Sequence, residues 1–209
     1  MNKTMLLKDN MKVLFQGDSV TDCDRSREDD SYLGYGYPAF IAEKLNGKGI
    51  TFINRAVSGE RVSDVYNRRE KDIFEVKPDL FSILIGVNDT WRRYDENNPR
   101  SAEEFEAIYR GLLSEIKERL PGVPIVMMAP FVLEVPDKIH WLEEDLIPKQ
   151  NAVRRLAKEF ADVYIPLDEI FKAEFDKYED IYYLSPDGVH PNETGHKLIA
   201  NCWVNAVTE

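Results

Sequence analysis

Residues 12–21 read KVLFQGDSVT, a short apolar run that ends in Gly-Asp-Ser. Apolar runs of this length that are bounded by turn residues are typical of buried strands. We therefore predict a first strand over Lys12–Gln16. Ser19 then lies just beyond the carboxyl end of that strand, at the start of a loop.

The same pattern, an apolar run followed by an amphipathic segment, repeats along the chain. This alternation is typical of β-α units built around a parallel sheet. The predicted strands are Lys12–Gln16, Thr51–Asn54, Leu80–Ile85, Ile125–Ala129 and Val163–Pro166, and the predicted helices are Tyr37–Leu45, Val62–Phe74, Ser101–Leu120, Glu143–Phe160 and Asn192–Val207. Ser101 and Glu104 have the spacing of a capping box. The sequence thus predicts an α/β fold.

A second polar segment, Asp187-Gly188-Val189-His190, lies near the far end of the chain. A serine hydroxyl becomes an effective nucleophile when an imidazole takes its proton, and a carboxylate can orient that imidazole. Ser19, His190 and Asp187 supply these three groups. Taken singly, each has a simpler explanation, because Asp-Ser and Asp-Gly are common in turns and a lone histidine is more often structural.

Two further polar segments follow predicted strands: residues 57–59, VSG, and residues 86–89, GVND. The carboxyl ends of parallel strands meet at one edge of a sheet, where open α/β proteins bind ligands, so we expect both segments to converge with Ser19. The backbone N–H of Gly59 and the side-chain amide of Asn88 are candidate donors to an oxyanion. The simpler alternatives are an ordinary loop glycine and an Asx turn.

With these four segments in this order, the chain resembles the SGNH hydrolases of the GDSL esterase/lipase family. That family is named for Ser, Gly, Asn and His, which match here as Ser19, Gly59, Asn88 and His190. The resemblance runs from about residue 13 to the end, and the name-giving Gly-Asp-Ser-Leu reads Gly-Asp-Ser-Val here. It implies a flavodoxin-like SGNH hydrolase fold, a three-layer α/β/α sandwich with a five-stranded parallel sheet.

The resemblance also implies two-step acyl transfer. His190 takes the proton of Ser19 as the hydroxyl attacks the ester carbonyl, while Asp187 orients the imidazole. The N–H groups of Ser19 and Gly59 and the amide of Asn88 form the oxyanion hole. Water then hydrolyses the acyl-enzyme by the same route, and neither a cofactor nor a metal is required.

The segment after Asn88, residues 90–94, reads TWRRY and bears on the choice of ester. Trp and Tyr suit stacking on a sugar face, and Arg suits contacts with hydroxyl or carboxylate groups. The alternative is packing beneath the loop or at a subunit contact. Together with residues 17–23, GDSVTDC, this segment resembles the intracellular carbohydrate acetylesterase branch, including acetyl xylan esterases.

That branch removes acetyl groups from short xylo-oligosaccharides, and some of its members form homo-oligomers. The resemblance therefore implies a small-molecule ester substrate, an acetylated sugar or oligosaccharide, and raises the expectation of a homo-oligomer. Asp18, Trp91 and Arg92 are the candidate substrate-binding residues.

Three alternatives stay open: a lysophospholipase or thioesterase of the same fold, a deacetylase of peptidoglycan or another glycan, and a carbohydrate-binding protein that has lost activity. The intact set of four residues argues against the last. The Gly-x-Ser-x-Gly elbow of α/β-hydrolases, Walker A, His-Glu-x-x-His and Gly-x-Gly-x-x-Gly are absent from the sequence. The classes that depend on those motifs have no support.

With 209 residues and 43% hydrophobic content, the chain fits a single domain over residues 1–209. A formal net charge of -11 argues against a nucleic-acid partner, which needs a basic surface. Without a signal-peptide core or a stretch of membrane-spanning length, we expect a cytoplasmic protein with no membrane partner. Cys23 and Cys202 are expected to be free thiols.

Overall fold

The structure is a computed structural model that describes residues 6–178 and 180–208. Within these residues the strands are β1 (Lys12–Gly17), β2 (Thr51–Asn54), β3 (Leu80–Leu84), β4 (Ile125–Met128) and β5 (Val163–Ile165). All neighbours pair in parallel, in the order β2-β1-β3-β4-β5. This is the flavodoxin-like strand order.

The helices are α1 (Ser19–Asp22), α2 (Tyr37–Lys44), α3 (Val62–Asn67), α4 (Val87–Asp95), α5 (Ala102–Arg119), α6 (Ile139–Trp141), α7 (Ile147–Phe160), α8 (Leu167–Tyr178) and α9 (Glu193–Thr208). A π-helical turn follows α3 at Glu70–Phe74, a second one joins α6 to α7 at Leu142–Leu146, and a 3-10 turn covers Ile181–Tyr183. In the described part of the chain, no helix has both the length and the apolar composition that crossing a bilayer requires.

Helices cover both faces of the sheet, because successive side chains of each strand point to opposite sides. In β1, Val13 and Phe15 pack in the core that α2, α8 and α9 complete, whereas Leu14 packs with α3, α5 and α7. Strands that are buried on both faces read as continuous apolar runs, which is how they were recognisable in the sequence. The predicted three-layer α/β/α sandwich is confirmed.

The predicted strands agree with the observed ones to within one residue at either end, and so do the first, third and fifth predicted helices. The capping box is also present, since Ser101 Oγ accepts the N–H of Glu104 at 3.1 Å and the Glu104 carboxylate accepts the N–H of Ser101 at 3.1 Å. The second predicted helix, Val62–Phe74, was wrong in its continuity, because α3 ends at Asn67. The fourth, Glu143–Phe160, begins within a π-helical turn.

Four helices are missing from the predicted set: the short helices α1 and α6, and the longer helices α4 and α8. In α4 the buried side of the first turn carries the polar residues Asn88, Asp89 and Thr90. The sequence therefore lacks the apolar stripe by which a helix is usually predicted. In α8, Leu167 and Phe171 are buried at helical spacing, a signal that the strand assignment just before them obscured. The consequence matters for the site, because Asn88 lies in a helix and not in an Asx turn.

The topological switch point lies between β1 and β3, where the sheet order reverses. Gly17 at the end of β1 is paired in register with Leu84 at the end of β3. The crevice outside the carboxyl ends of these two strands is where open α/β sheets bind ligands. Ser19 follows β1 and Asn88 follows β3, so the fold places both residues at that crevice.

Candidate active site

Ser19 is the first residue of α1 and is held by a tight turn at the end of β1. The carboxylate of Asp18 caps this short helix by accepting the N–H of Val20 at 3.1 Å. At Gly17, a Cβ atom would lie 2.3 Å from the carbonyl oxygen of Leu84. Only glycine fits there. Because Gly17 has no side chain, β1 can lie close to β3 up to its last residue, and the chain then turns sharply and presents Ser19.

The structure brings Ser19, His190 and Asp187 together in one line of hydrogen bonds. Ser19 Oγ lies 2.9 Å from His190 Nε2, and His190 Nδ1 lies 2.8 Å from Asp187 Oδ2. Because a carboxylate accepts hydrogen bonds only, Nδ1 carries the proton in the neutral ring. Nε2 is then free to accept the serine proton, which is the arrangement that activates a serine.

The carboxylate of Asp187 is oriented by the loop that contains it. Its Oδ1 accepts the N–H groups of Val189 at 2.9 Å and His190 at 2.8 Å, and the hydroxyl of Ser185 lies 3.2 Å away. Burial alone would raise the pKa of Asp187, but the bonds from His190 and Val189 hold it well below its usual range. The hydrogen bond to Asp187 in turn raises the pKa of His190, although burial opposes this.

The segment after β4 supports the His190 loop from outside. The N–H of Leu133 donates to the Gly188 carbonyl at 2.8 Å, and the ammonium group of Lys138 donates to the Asp187 carbonyl at 2.8 Å. Gly188 has φ 83°, and a Cβ there would lie 2.9 Å from a methyl group of Val135. Sequence reasoning missed these contacts, because they involve backbone carbonyls and form no motif.

Gly59 and Asn88 lie on neighbouring segments that meet beside the turn that contains Gly17 and Ser19. The N–H of Val57 donates to the Gly17 carbonyl at 3.2 Å, which fixes the loop after β2 against the end of β1. Asn88 is buried, and its Nδ2 donates one hydrogen bond to the Glu60 carbonyl at 3.1 Å. The second N–H of that amide has capacity for another acceptor. Gly59 has φ 82°, a left-handed conformation that glycine adopts without strain.

Asp89 fixes the first turn of α4 in place. Its buried carboxylate accepts the N–H of Val62 at 3.0 Å and pairs with Arg100 at 2.7 Å. These bonds tie the start of α4 to the start of α3 and so position Asn88. These contacts give Asp89 a supporting role.

Of the candidate substrate-binding residues, Asp18 is the most enclosed, with only 2% of its surface exposed. Burial raises the pKa of its carboxyl group to about 7, an effect that the nearby His190 opposes. Its hydrogen bond to Val20 is that of a helix cap. A substrate contact for Asp18 stays a prediction.

Trp91 stands beside the imidazole, with 5.7 Å between the ring centres of Trp91 and His190. Trp91 also lies 5.2 Å from Trp141, which in turn stacks on Tyr94 at 5.1 Å. We call Trp91, Tyr94 and Trp141 the aromatic wall. The ammonium group of Lys138 lies 5.8 Å from the centre of the Trp91 ring, within the range of a cation-π contact.

Arg92 lies next to Gly59. Its Nη2 is 3.4 Å from the Gly59 carbonyl oxygen. The guanidinium also pairs with Asp95 and, at 3.4 Å, with Glu96. Its charge is therefore balanced within α4 and the residue that follows it.

Comparison with known proteins identifies the family of the chain. The family model described as GDSL-like Lipase/Acylhydrolase family matches residues 15–198. An acetylxylan esterase of Geobacillus stearothermophilus is 32% identical over 94% of this chain and 93% of its own length. An acetylxylan esterase of Xylanibacter ruminicola is 27% identical over 96% of this chain, but only 44% of that protein is covered.

Solved structures give the same result. The crystal structure of the Geobacillus stearothermophilus esterase superimposes with a TM-score of 0.86 at 31% identity, covering 98% of this chain and 97% of that chain. Two catalytic mutants of that enzyme, one with a serine and one with a histidine replaced by alanine, have TM-scores of 0.86 and 0.87 at 30% identity. Each of these two alignments covers at least 96% of both chains.

Proposed function

Because the chain belongs to the GDSL-like lipase/acylhydrolase family and is a carboxylic ester hydrolase, we propose that it removes acetyl groups from acetylated carbohydrates with Ser19 as the nucleophile. The observation that carries the proposal is the line from Ser19 Oγ through His190 to Asp187, with spacings of 2.9 and 2.8 Å. Those spacings allow proton transfer from the hydroxyl to the ring.

In the first step, His190 Nε2 takes the Ser19 proton while Oγ forms a bond to the ester carbonyl carbon. The carbonyl oxygen becomes an oxyanion, and the N–H groups of Ser19 and Gly59 and the free N–H of the Asn88 amide stabilise it. When the intermediate collapses, the bond to the sugar oxygen breaks. The sugar oxygen receives the proton from His190, and Ser19 keeps the acetyl group.

In the second step, water attacks the acetyl-enzyme. His190 takes a proton from the water as its oxygen bonds to the acyl carbon, and the same donors stabilise the second oxyanion. Collapse breaks the bond to Ser19 Oγ, which regains its proton from His190. Because its pKa is lowered, Asp187 stays ionised throughout and can stabilise the imidazolium.

Two observations support an acetyl group and a sugar. A cavity of about 10 Å³ lies beside the sequence neighbours of Ser19 and Asn88, and its lining is Asp18, Val20, Leu84, Val87, Pro130 and Phe131. That volume is about the minimum that one water molecule needs, so a long acyl chain does not fit there. On the leaving-group side, Trp91 of the aromatic wall stands next to His190, where a sugar ring can stack.

The test uses acetylated xylo-oligosaccharides, with acetate release followed by proton NMR. We expect acetate release by the wild type and none above background with Ser19→Ala, because the variant lacks the nucleophile. A p-nitrophenyl ester series gives the chain-length preference in parallel. A higher kcat/KM for decanoate than for acetate would contradict the proposal and favour the lysophospholipase or thioesterase alternative.

A homo-oligomer and a cytoplasmic location also stay proposals. Tyr35 and Tyr182, each 68% exposed, are aromatic surface residues of the kind that interfaces use. Light scattering on the eluted protein measures the molar mass, and a monomer over the working concentration range would contradict self-association. Cell fractionation tests the location.

A further inference from the structure

We propose that a polar cavity beside Gly59 binds a carboxylate carried by the substrate, and that Arg61 is the residue that recognises it. The inference rests on the proposed function, since it names a subclass of acetylated carbohydrate. That subclass contains an acidic sugar, a uronic acid, close to the acetyl group that is removed.

The cavity has a volume of about 530 Å³ and begins at Gly59, one of the candidate oxyanion donors. One wall comes from the turn after β2 and the start of α3, and the other from the end of α4 and the loop that follows it. Of the residues that the structure describes, all those that line the cavity are polar or glycine. A saccharide that places its ester carbonyl at Ser19 therefore has room here for a neighbouring sugar.

Two of the three arginines that line this cavity have their charge balanced by carboxylates. Arg92 pairs with Asp95 and Glu96, and Arg100 pairs with the buried Asp89 at 2.7 Å. The positive charges of Arg92 and Arg100 are thus already engaged in holding α4 and the loop after it.

Arg61 differs from both. Among the residues that the structure describes, no carboxylate lies within ion-pair distance of its guanidinium, and Nη2 donates to the Asn98 carbonyl oxygen at 2.9 Å. The two acids on the same wall, Glu60 and Asp64, bond to groups other than the Arg61 guanidinium. Glu60 pairs with Arg68 at 2.6 Å, and Asp64 accepts the backbone N–H of Arg61 at 2.8 Å.

Arg61 is also only 8% exposed, so its charge is held mostly away from bulk water. A buried guanidinium without an anionic partner costs free energy, and a ligand carboxylate would offset that cost. The planar fork of N–H donors matches a carboxylate in a bidentate arrangement. With a net charge of -11, the chain as a whole repels anions, so a preference for an acidic substrate requires such a local site.

The test compares two substrates that differ in one group. The first is an acetylated xylotriose with a glucuronic acid branch on the residue next to the acetyl group, and the second is the same compound with the branch carboxyl reduced to an alcohol. We expect the wild type to have a kcat/KM at least tenfold higher on the acidic compound. Rates are expressed per active site, counted by titration with a serine-reactive phosphonate.

Arg61→Gln should bring the ratio of the two kcat/KM values close to one, and Arg61→Lys should retain part of the preference because it keeps the charge. Arg110→Gln, which removes an arginine from an ion pair on the outer surface, is the matched control and should retain the wild-type ratio. A wild-type ratio near one, or an unchanged ratio in Arg61→Gln, would overturn the inference. So would an equal loss on both compounds in Arg61→Gln.

If Arg61→Gln does not fold, inhibition of the wild type by glucuronic acid and by glucose replaces it. Equal inhibition by the two sugars overturns the inference, and selective inhibition by the acid supports it. Failure of the proposed function gives a different result. In that case neither oligosaccharide is deacetylated, although p-nitrophenyl acetate is cleaved.

Discussion

The nucleophile turn (Gly17–Ser19) and the base loop (Asp187–His190) reach the same site by different physical means. The sheet positions the turn, because Gly17 is in register with Leu84 and the loop after β2 is bonded to its carbonyl. The base loop is outside the sheet. Its shape comes from hydrogen bonds to the Asp187 carboxylate and from Leu133 and Lys138, which bond to its carbonyls.

The difference implies that damage to the two regions has different consequences. A change at Gly17 in the nucleophile turn disturbs the join between β1 and β3 and therefore the core. A change in the base loop alters the position and pKa of one imidazole while the sheet stays intact. The following predictions test that separation, beginning with the largest effect.

Asp187→Asn should lower kcat by about 10⁴-fold with little change in the thermal midpoint. The amide can still fill the space, but it can donate to Nδ1 and so favour the tautomer whose Nε2 carries the proton. Steady-state kinetics on an active-site-titrated preparation and a melting curve measure both effects. Activity within tenfold of the wild type would show that the carboxylate does not orient His190.

Asn88→Ala should lower kcat by about 10² to 10³-fold with little effect on KM, because the donor acts mainly on the developing oxyanion. The structure also gives the amide a bond to the Glu60 carbonyl at 3.1 Å, so some loss of thermal stability accompanies the change. An unchanged kcat per titrated site with a lower melting temperature would confine Asn88 to a structural role.

Gly188→Ala should lower kcat/KM by about tenfold, since a small displacement of a reacting group is enough to slow the reaction. A Cβ at this position would lie 2.9 Å from Val135, and relief of that contact moves the base loop. Gly122→Ala is the matched control, because φ there is 84° and a Cβ would meet no atom within 4 Å. Both variants carry the same left-handed strain, so equal kinetics in the two would contradict the displacement.

Lys138→Met should have the smallest effect and should appear in the pH profile. The groups that set the His190 pKa are Asp187, which raises it by hydrogen bonding, Asp18, which also raises it, and Lys138, which lowers it. Removal of the ammonium group therefore raises the His190 pKa, and the acid limb of kcat/KM moves to higher pH. Lys138→Arg should restore the wild-type limb, and a shift in the opposite direction would contradict the assignment.

The wild-type acid limb itself is expected above the ordinary histidine pKa of about 6.5, because the protonated ring is stabilised by Asp187. Since the pKa of the buried Asp18 is raised to about 7, its titration overlaps that of His190. A limb centred below pH 6 would contradict the stabilisation.

The sheet was predictable from sequence because buried parallel strands are apolar runs, and the strand ends then located Ser19 and Asn88. Helix α4 was not predictable in the same way. Its first turn is buried through polar side chains whose partners, such as Arg100 for Asp89, become visible only when the fold is known. Hydrophobic periodicity detects helix faces that are apolar. It does not detect a buried face whose polar groups are satisfied by hydrogen bonds.

The residues of the site also differ in whether the sequence could identify them. Ser19, Asp187 and His190 carry their chemistry in their residue types, so a pattern of letters could identify them as candidates. Lys138 could not be found in this way, because it contacts a carbonyl 49 positions away. Arg61 is one of many arginines, and its position in the cavity without a carboxylate partner within the described residues is visible only in the structure.

The bond between Ser19 and His190 joins residues 171 positions apart. During translation the ribosome therefore releases the nucleophile well before the base. Until the base docks, Ser19 is an ordinary alcohol, so a nascent or prematurely terminated chain cannot hydrolyse esters. Esterase activity therefore reports that the base loop has docked, and on refolding from denaturant it should not appear before that step.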